Sequence, residues 1–401
     1  MNAKSILISG AGIAGPTLAY WLLQQGHKPV LVERAPGLRS GGYVIDFWGL
    51  GFDVAERMGL EAKLRQVGYD VSELRLVDRA GRRVGGFDAD VFRALTGGRY
   101  VSLPRSELAR VLYEAIADRC EIIFGDSVSS LDDSGDGVQV QFEHAAPRRF
   151  DLVVGADGLH SDVRRLVFGP QEGFEHYLGY MVAAFEAEGY RPRDELVYVS
   201  QAVPGRQVAR FAMRGDKTMF LFVFAADEPT HIDHHDLGAQ KEILRAKFGD
   251  AGWECPQILA ALDRCDDLYF DRVAQIQMES WSKGRVGLVG DAAFCVSLLA
   301  GQGSALAMTA AYVLAGELGR AETTQAAFEN CESRLRPFIT GKQKAARQFA
   351  GSFAPRTRLG LFVRNQMTKT FTLPWVAKLV LGPSLLDALE LPRYEMAAKS
   401  A

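Results

Sequence analysis

Gly10, Gly12 and Gly15 stand in the spacing G-x-G-x-x-G, directly after an apolar run at residues 6–8 and at the head of a stretch with helical periodicity reaching about residue 25. A strand feeding a helix through such a turn starts a dinucleotide-binding fold. The missing β-carbons let the backbone approach a pyrophosphate, and the helix N-terminus offers it N–H donors and a positive dipole. Ala14 lies inside the turn, and a second apolar run at residues 30–32 ends on Glu33 and Arg34. A carboxylate there can accept hydrogen bonds from both adenosine ribose hydroxyls and repels a 2′-phosphate, which favours FAD or NAD over NADP at this site.

The rest of the chain has to complete that fold. At 401 residues and 48% apolar content it is long enough for two or three compact units around a continuous core. Lys and Arg total 46 against 49 acidic residues, a net charge of -3, so no phosphate-tracking surface is implied and nucleic acid is not an expected partner. The five cysteines contain no C-x-x-C pair, which argues against a disulfide framework and a zinc site, and no metal is expected. Met1 leads straight into an apolar strand without a signal-peptide pattern, so the expected location is the cytoplasm. Residues 292–316 carry no charge and could span a bilayer by length, but Gly301, Gln302 and Gly303 interrupt them; a buried strand-loop-helix passage is expected instead.

Along the chain, residues 74–87 read as a hairpin, 105–117 as a helix, and 122–124, 138–142 and 152–154 as strands. From about 174 to 269 the strand-like runs 197–199, 208–213 and 219–224 follow without helical repeats of comparable length, which predicts a sheet-rich second unit. Residues 286–289 read as a returning strand of the first fold and 303–318 as a helix, so the nucleotide-binding unit is discontinuous. The stretch after residue 323 reads as helical, with Pro337, Pro355, Pro374 and Pro383 as breaks.

Two further motifs sharpen the reading. Residues 155–161, GADGLHS, with Arg164 following, and residues 285–293, RVGLVGDAA, with Gly301-Gln302-Gly303 downstream, resemble the DG and GD fingerprints of class A flavoprotein monooxygenases of the p-hydroxybenzoate hydroxylase type. Within that family the chain looks nearest to the tetracycline-inactivating branch, through GIAGPTLAYWL at Gly12, GGYVID at Gly41, YFDRVAQIQMESW at Tyr269 and AYVLAGEL at Ala311. The resemblance implies an α/β fold: a Rossmann-like FAD-binding domain, a mixed, sheet-rich substrate domain and a C-terminal helical segment. The expected division is FAD-binding parts at 1–70, 98–172 and 276–330, a substrate-domain hairpin at 71–97, the substrate domain proper at 173–275 and C-terminal helices at 331–401.

It also implies FAD as cofactor, NADPH or NADH as transient reductant, and molecular oxygen and a small aromatic or polycyclic molecule as partners. In such enzymes a C4a-hydroperoxyflavin hydroxylates the substrate, and no protein nucleophile is needed. Expected FAD contacts are Gly10, Gly12, Ala14, Gly15, Glu33, Arg34, Arg39, Asp46, Arg105, Asp157, Asp291, Gly301, Gly303 and Ser304. Asp291 would meet the ribityl chain, Arg105 the phosphates or ribityl, and the helix starting at Gly303 the pyrimidine edge of the flavin. Asp157 is implicated in binding both FAD and NADPH. The chain departs from the family at Phe294 for His or Tyr, Leu298 for Pro and Ala305 for Asn, which puts oxygen-transfer efficiency and substrate orientation in question.

For the substrate, the strand-period stripe Phe220, Phe222 and Phe224 could present one apolar face over the flavin, with Arg206 or Arg210 orienting an anionic or phenolic group. The alternative is an ordinary sheet core facing helices. Residues 361–381 mix Phe, Leu and Val with Arg364, Lys369 and Lys378, which suits an amphipathic element closing over the cleft, a helix packed for stability, or weak association with a membrane surface. A monomer or weak homodimer is expected. Competing functions are a flavin-dependent reductase or halogenase, the latter disfavoured because no W-x-W-x-I-P segment is present, and a non-catalytic FAD-binding protein.

Overall fold

The structure is a computed structural model that describes residues 3–38, 43–229, 236–385, 387 and 389–394. Its first sheet runs Ser282–Lys283, Val286–Leu288, Leu152–Gly155, Ser5–Ser9, Lys28–Glu33, Glu121–Phe124, parallel except for the outermost pair at the Ser282 edge. Parallel strands are covered on both faces, which is why Ile6, Leu7, Ile8, Leu152, Val153 and Val154 form continuous apolar runs and are fully buried. Three distant chain segments build this one sheet. The uncharged passage is a short helix Asp291–Phe294, a 3-10 turn Leu298–Ala300 and the helix Gly303–Leu318, whose last thirteen residues are all buried against Ala14–Gln24 and Leu50–Arg57. Burial within the protein explains its lack of charge. Among the described residues no helix is long and apolar enough to cross a membrane.

A second sheet of seven strands runs Tyr269–Ile276, Glu175–Glu188, Lys217–Ala225, Arg206–Ala212, Val197–Val203, Glu73–Val77, Arg83–Asp88, so the early hairpin joins its far edge. The sequence reading missed the fourteen-residue strand Glu175–Glu188, and it missed two helices, Leu237–Phe248 and Cys255–Asp263, that cover one face of this sheet. The other face turns toward the first sheet's loops. Two smaller sheets, Val128–Asp132 with Val138–Phe142 and Arg148–Phe150, and Val44–Trp48 with Tyr100–Pro104, complete the layers.

The C-terminal part is helical, but two prolines are not breaks. Thr324–Phe353 continues through Pro337, and Pro374–Leu385 continues through position 383. An internal proline costs a helix about 3 kcal/mol, and burial of Cys331, Leu335 and Ile339 on either side of Pro337 is large enough to outweigh that. Pro355 does separate two helices, and Pro374 begins one.

Candidate active site

The three motifs converge at the C-terminal ends of the first sheet's strands. Gly10 has φ +107°, and a β-carbon on it would lie 2.5 Å from the Ala156 carbonyl oxygen; one on Gly15 would lie 1.9 Å from the Gly10 oxygen. Both positions therefore require glycine because backbone meets backbone. Gly12 is different: a β-carbon there would meet only the Arg105 Nη2, at 3.8 Å. The turn is thus open above Gly12, with a guanidinium facing the opening. Glu33 closes the turn from the next strand, accepting from the Ala11 N–H at 2.9 Å and the Ala35 N–H at 3.0 Å. Arg34 points outward to Asp162 in a surface ion pair.

Asp157 is turned inward. Its carboxylate accepts from the Ser161 hydroxyl, the Val163 N–H and the Ser9 hydroxyl, tying the DG turn to the first strand, and burial raises its pKa. The GD motif sits on the same rim: a β-carbon on Gly290 would lie 3.3 Å from that of Ala14, so the first helix and the GD turn pack against each other. The Asp291 carboxylate stands 3.7 Å from the position of a Gly303 β-carbon, at the N-terminus of Gly303–Leu318, with Ser304 as its second residue. Burial raises the pKa of Asp291, and the charge of Arg105 opposes that shift. Gly301 takes φ +67° to turn the chain into this helix.

No salt bridge or side-chain hydrogen bond among the described residues engages the Arg105 guanidinium, although its backbone N–H donates to the Tyr43 carbonyl at 3.0 Å. A guanidinium without a salt bridge among the described residues, beside an open glycine turn and near enough to Asp291 for its charge to act there, fits a dinucleotide carrying both phosphates and a polyol. Arg39 lies outside the described residues. Asp46 accepts from the Tyr100 and Ser102 hydroxyls at 2.6 and 2.5 Å on the small two-stranded sheet. Burial raises its pKa and these two hydroxyls oppose the rise.

The expected substrate residues need correction. Phe220, Phe222 and Phe224 are fully buried beneath the helices Leu237–Phe248 and Cys255–Asp263, in one cluster with Leu244, Phe248, Ile258 and Leu262. Arg206 binds Asp250, and Arg210 lies between Asp194 and Glu254, each at 2.7 Å. All five belong to the helix-covered face. Strand alternation puts Gln207, Phe211, Met219, Leu221 and Val223 on the opposite face. There they meet Tyr43, Tyr198, Tyr269, Leu298 and Phe353.

A cation on this second face is Arg364, from the helix Arg358–Thr370; it donates to Gln207 Oε1 at 2.7 Å and to the Phe353 carbonyl at 2.9 Å. Burial alone pushes its pKa down to about 10. His160 of the DG motif reaches across to Asp271 of the second sheet at 3.1 Å, which raises its pKa despite burial. Tyr43 and Tyr269 have ring centroids 5.7 Å apart, and burial pushes the Tyr43 hydroxyl up to about 12. The parity of the Phe stripe is the one sequence signal that separates these two sets.

Two of the three family departures have packing explanations. Phe294 packs against Trp281 in the core, at 4.6 Å between centroids with the rings tilted by 46°. Ala305 faces Gly51 so closely that a β-carbon on the glycine would lie 2.6 Å from its own, and a larger residue would push the helices apart. Leu298 remains on the wall shared with Tyr269 and Phe353.

Residues 3–333 match the family model described as "FAD binding domain". A flavin-dependent monooxygenase from an unknown prokaryotic organism is 34% identical over 393 residues, 97% of this chain and 98% of that one. An uncharacterized protein of Mycobacterium tuberculosis is 40% identical over 348 residues, covering 85% and 92%. The crystal structure of tetracycline destructase Tet(55) superposes with a TM-score of 0.83 at 31% identity, covering 98% of this chain and 99% of that one. The chain belongs to the class A FAD-dependent monooxygenases, and FAD is the dinucleotide that its three motifs are built to hold.

Proposed function

We propose that this enzyme hydroxylates a fused aromatic or polycyclic small molecule bearing a phenolic or enolic oxygen, with NADPH or NADH as the transient reductant. The observation that carries this reading is the face of the seven-stranded sheet lined by Leu221, Tyr198 and Tyr269, set opposite the GD loop and holding the half-buried cation Arg364. Flat apolar walls with one cation suit a planar, acidic, electron-rich ring system. The similarity to tetracycline destructases supports a polycyclic, antibiotic-like substrate.

Gly10, Gly12, Ala14, Gly15 and Glu33 would hold the ADP half of FAD, with Arg34, expected there too, turned outward to Asp162, and Arg105, Asp291, Gly301, Gly303 and Ser304 the flavin half. When bound, FAD supplies the redox chemistry by which one oxygen atom of O2 reaches the substrate. The chain's own residues do the rest. Donors at the start of Gly303–Leu318 favour negative charge on the flavin's pyrimidine edge. Arg364 orients an anionic substrate oxygen, and the helix Arg358–Thr370 closes the cleft against water, which would otherwise divert reduced oxygen to peroxide.

The test is a screen of phenols, fused polyketides and tetracyclines for stimulated NADPH oxidation, with oxygen uptake and product mass recorded together. A product heavier by one oxygen atom is expected. Flavin-loaded protein that oxidises NADPH but modifies no member of the panel would overturn the substrate class. Protein that takes up no FAD would overturn the whole reading. In parallel, Asp291→Ala should weaken FAD by about tenfold or more, the loss of charge-assisted hydrogen bonds of roughly 1.5–3 kcal/mol.

A further inference from the structure

Large apolar side chains exposed to solvent are concentrated on the C-terminal helices. Leu359, Phe362, Val363 and Met367 on Arg358–Thr370, and Leu373, Trp375, Leu379 and Val380 on and just before Pro374–Leu385, are exposed, Leu359 to 72% and Trp375 to 68%. Elsewhere among the described residues only Leu196 joins them.

They are not a misplaced core. Arg358–Thr370 already has a packed, half-buried face, made by Leu361, Arg364, Asn365 and Thr368 at i, i+3, i+4 and i+7. Thr368 accepts from the Gly86 N–H at 3.1 Å, and a β-carbon on Gly85 would lie 2.9 Å from the Asn365 carbonyl. Residues 359, 362, 363 and 367 occupy the diametrically opposite side. A helix whose one side is already packed and whose other side carries exposed apolar residues has a second apolar environment to meet.

The charges say which one. Residues 355–385 contain five basic residues and no Asp or Glu, on a chain whose net charge is -3. Arg356 pairs with Asp227 and Arg364 points inward, but Arg358, Lys369 and Lys378 are exposed and form no ion pair among the described residues. Exposed Phe, Trp and Leu ringed by unpaired cations, with no carboxylate to be repelled, match a lipid–water interface bearing negative headgroups. A second copy of this chain would instead present its own matching cations to this face, since a two-fold contact sets like against like.

We propose that the outward face of the two C-terminal helices is a docking surface for an anionic lipid bilayer, on which the enzyme lies without spanning it. The acidic remainder of the chain is repelled by the same headgroups, which orients the molecule tail-side down.

The test uses the full-length, FAD-loaded protein in co-sedimentation with phosphatidylcholine vesicles, with and without phosphatidylglycerol. It should pellet with the anionic vesicles, bind less as salt rises, and shift its tryptophan emission to the blue. Phe362→Ser with Trp375→Ser should abolish binding while FAD content and unfolding temperature stay unchanged, because both side chains are exposed. Lys369→Glu with Lys378→Glu should raise the lipid needed for half-binding by roughly tenfold or more. The proposal is overturned if the unaltered protein stays in the supernatant with phosphatidylglycerol vesicles, or if the serine pair binds as well as the unaltered protein. It is equally overturned if sedimentation equilibrium shows a dimer that the serine pair dissociates while lipid has no effect.

Discussion

The two faces of the seven-stranded sheet are made by the same strands and do opposite work. One is dry and aromatic: Phe220 lies 4.9 Å from Phe185 and Phe222 the same distance from Phe248, while Arg210 is neutralised on both sides by Asp194 and Glu254. The other carries tyrosines, Gln207 and a cation that among the described residues meets only neutral acceptors. A cation held by carboxylates has its charge cancelled; one held by an amide and carbonyls keeps it available. Polarity therefore does not distinguish the two faces. The difference is a charge that the protein leaves uncancelled, and on that ground the second face is the one proposed to bind substrate.

Substitutions on either face should separate these roles, and the largest effects belong to the helix-covered side. Phe222→Ala should cost about 3–5 kcal/mol of stability through the cavity it leaves, read by denaturant unfolding, with FAD affinity of the folded fraction unchanged. Arg210→Met takes the shared cation from Asp194 and Glu254, which keep Arg75 and the Tyr190 hydroxyl as partners, and should cost about 3 kcal/mol. If it altered substrate KM at unchanged stability, the two faces would have been assigned the wrong way round. On the cleft side, Arg364→Met should raise KM for acidic phenols or enols by roughly tenfold or more, leave neutral analogues almost unaffected and barely move the unfolding temperature, with Arg364→Lys recovering part of the loss. Equal losses for neutral and acidic compounds would reduce Arg364 to a clamp between helix and sheet.

The smallest effect concerns His160, which joins the DG turn to Asp271 on the cleft face. Its pKa is raised in the folded state, so its contribution to stability is complete below the ordinary histidine value of 6.5 and is lost as pH rises through the folded value. The side chain is 38% exposed, which limits the gain to at most about 1 kcal/mol. His160→Gln should remove that pH dependence between mildly acidic and neutral conditions in thermal unfolding.

Local chemistry was legible where it is self-contained. The helix Gly303–Leu318 and the strand at Val286–Leu288 lie where the sequence pattern puts them, because glycine turns and uncharged runs announce themselves within a few residues. The strand Glu175–Glu188 was not legible, since burial on both faces erases the alternation that marks a strand. Nor could alternation say which side of the Phe stripe faces the cleft. That depends on Glu254, forty-four residues from Arg210, and on helices whose own signals are modest. The half-buried cation went unassigned to that face because its sheet partner, Gln207, lies 157 residues away in the chain.

The interleaving of the first sheet also governs the order in which the molecule can form. Leu152–Gly155 acquires its outer neighbour only when Val286–Leu288 arrives, some 130 residues later, after the whole segment from Glu175 to Ile276 has been made. During synthesis the seven-stranded sheet can therefore assemble its central strands while the first sheet still exposes an apolar edge, and such edges are prone to aggregate. The GD turn that completes the cofactor cradle lies directly behind that late strand. We expect FAD to be taken up only near the end of folding, so that refolding in its presence raises the final yield without speeding the early phases.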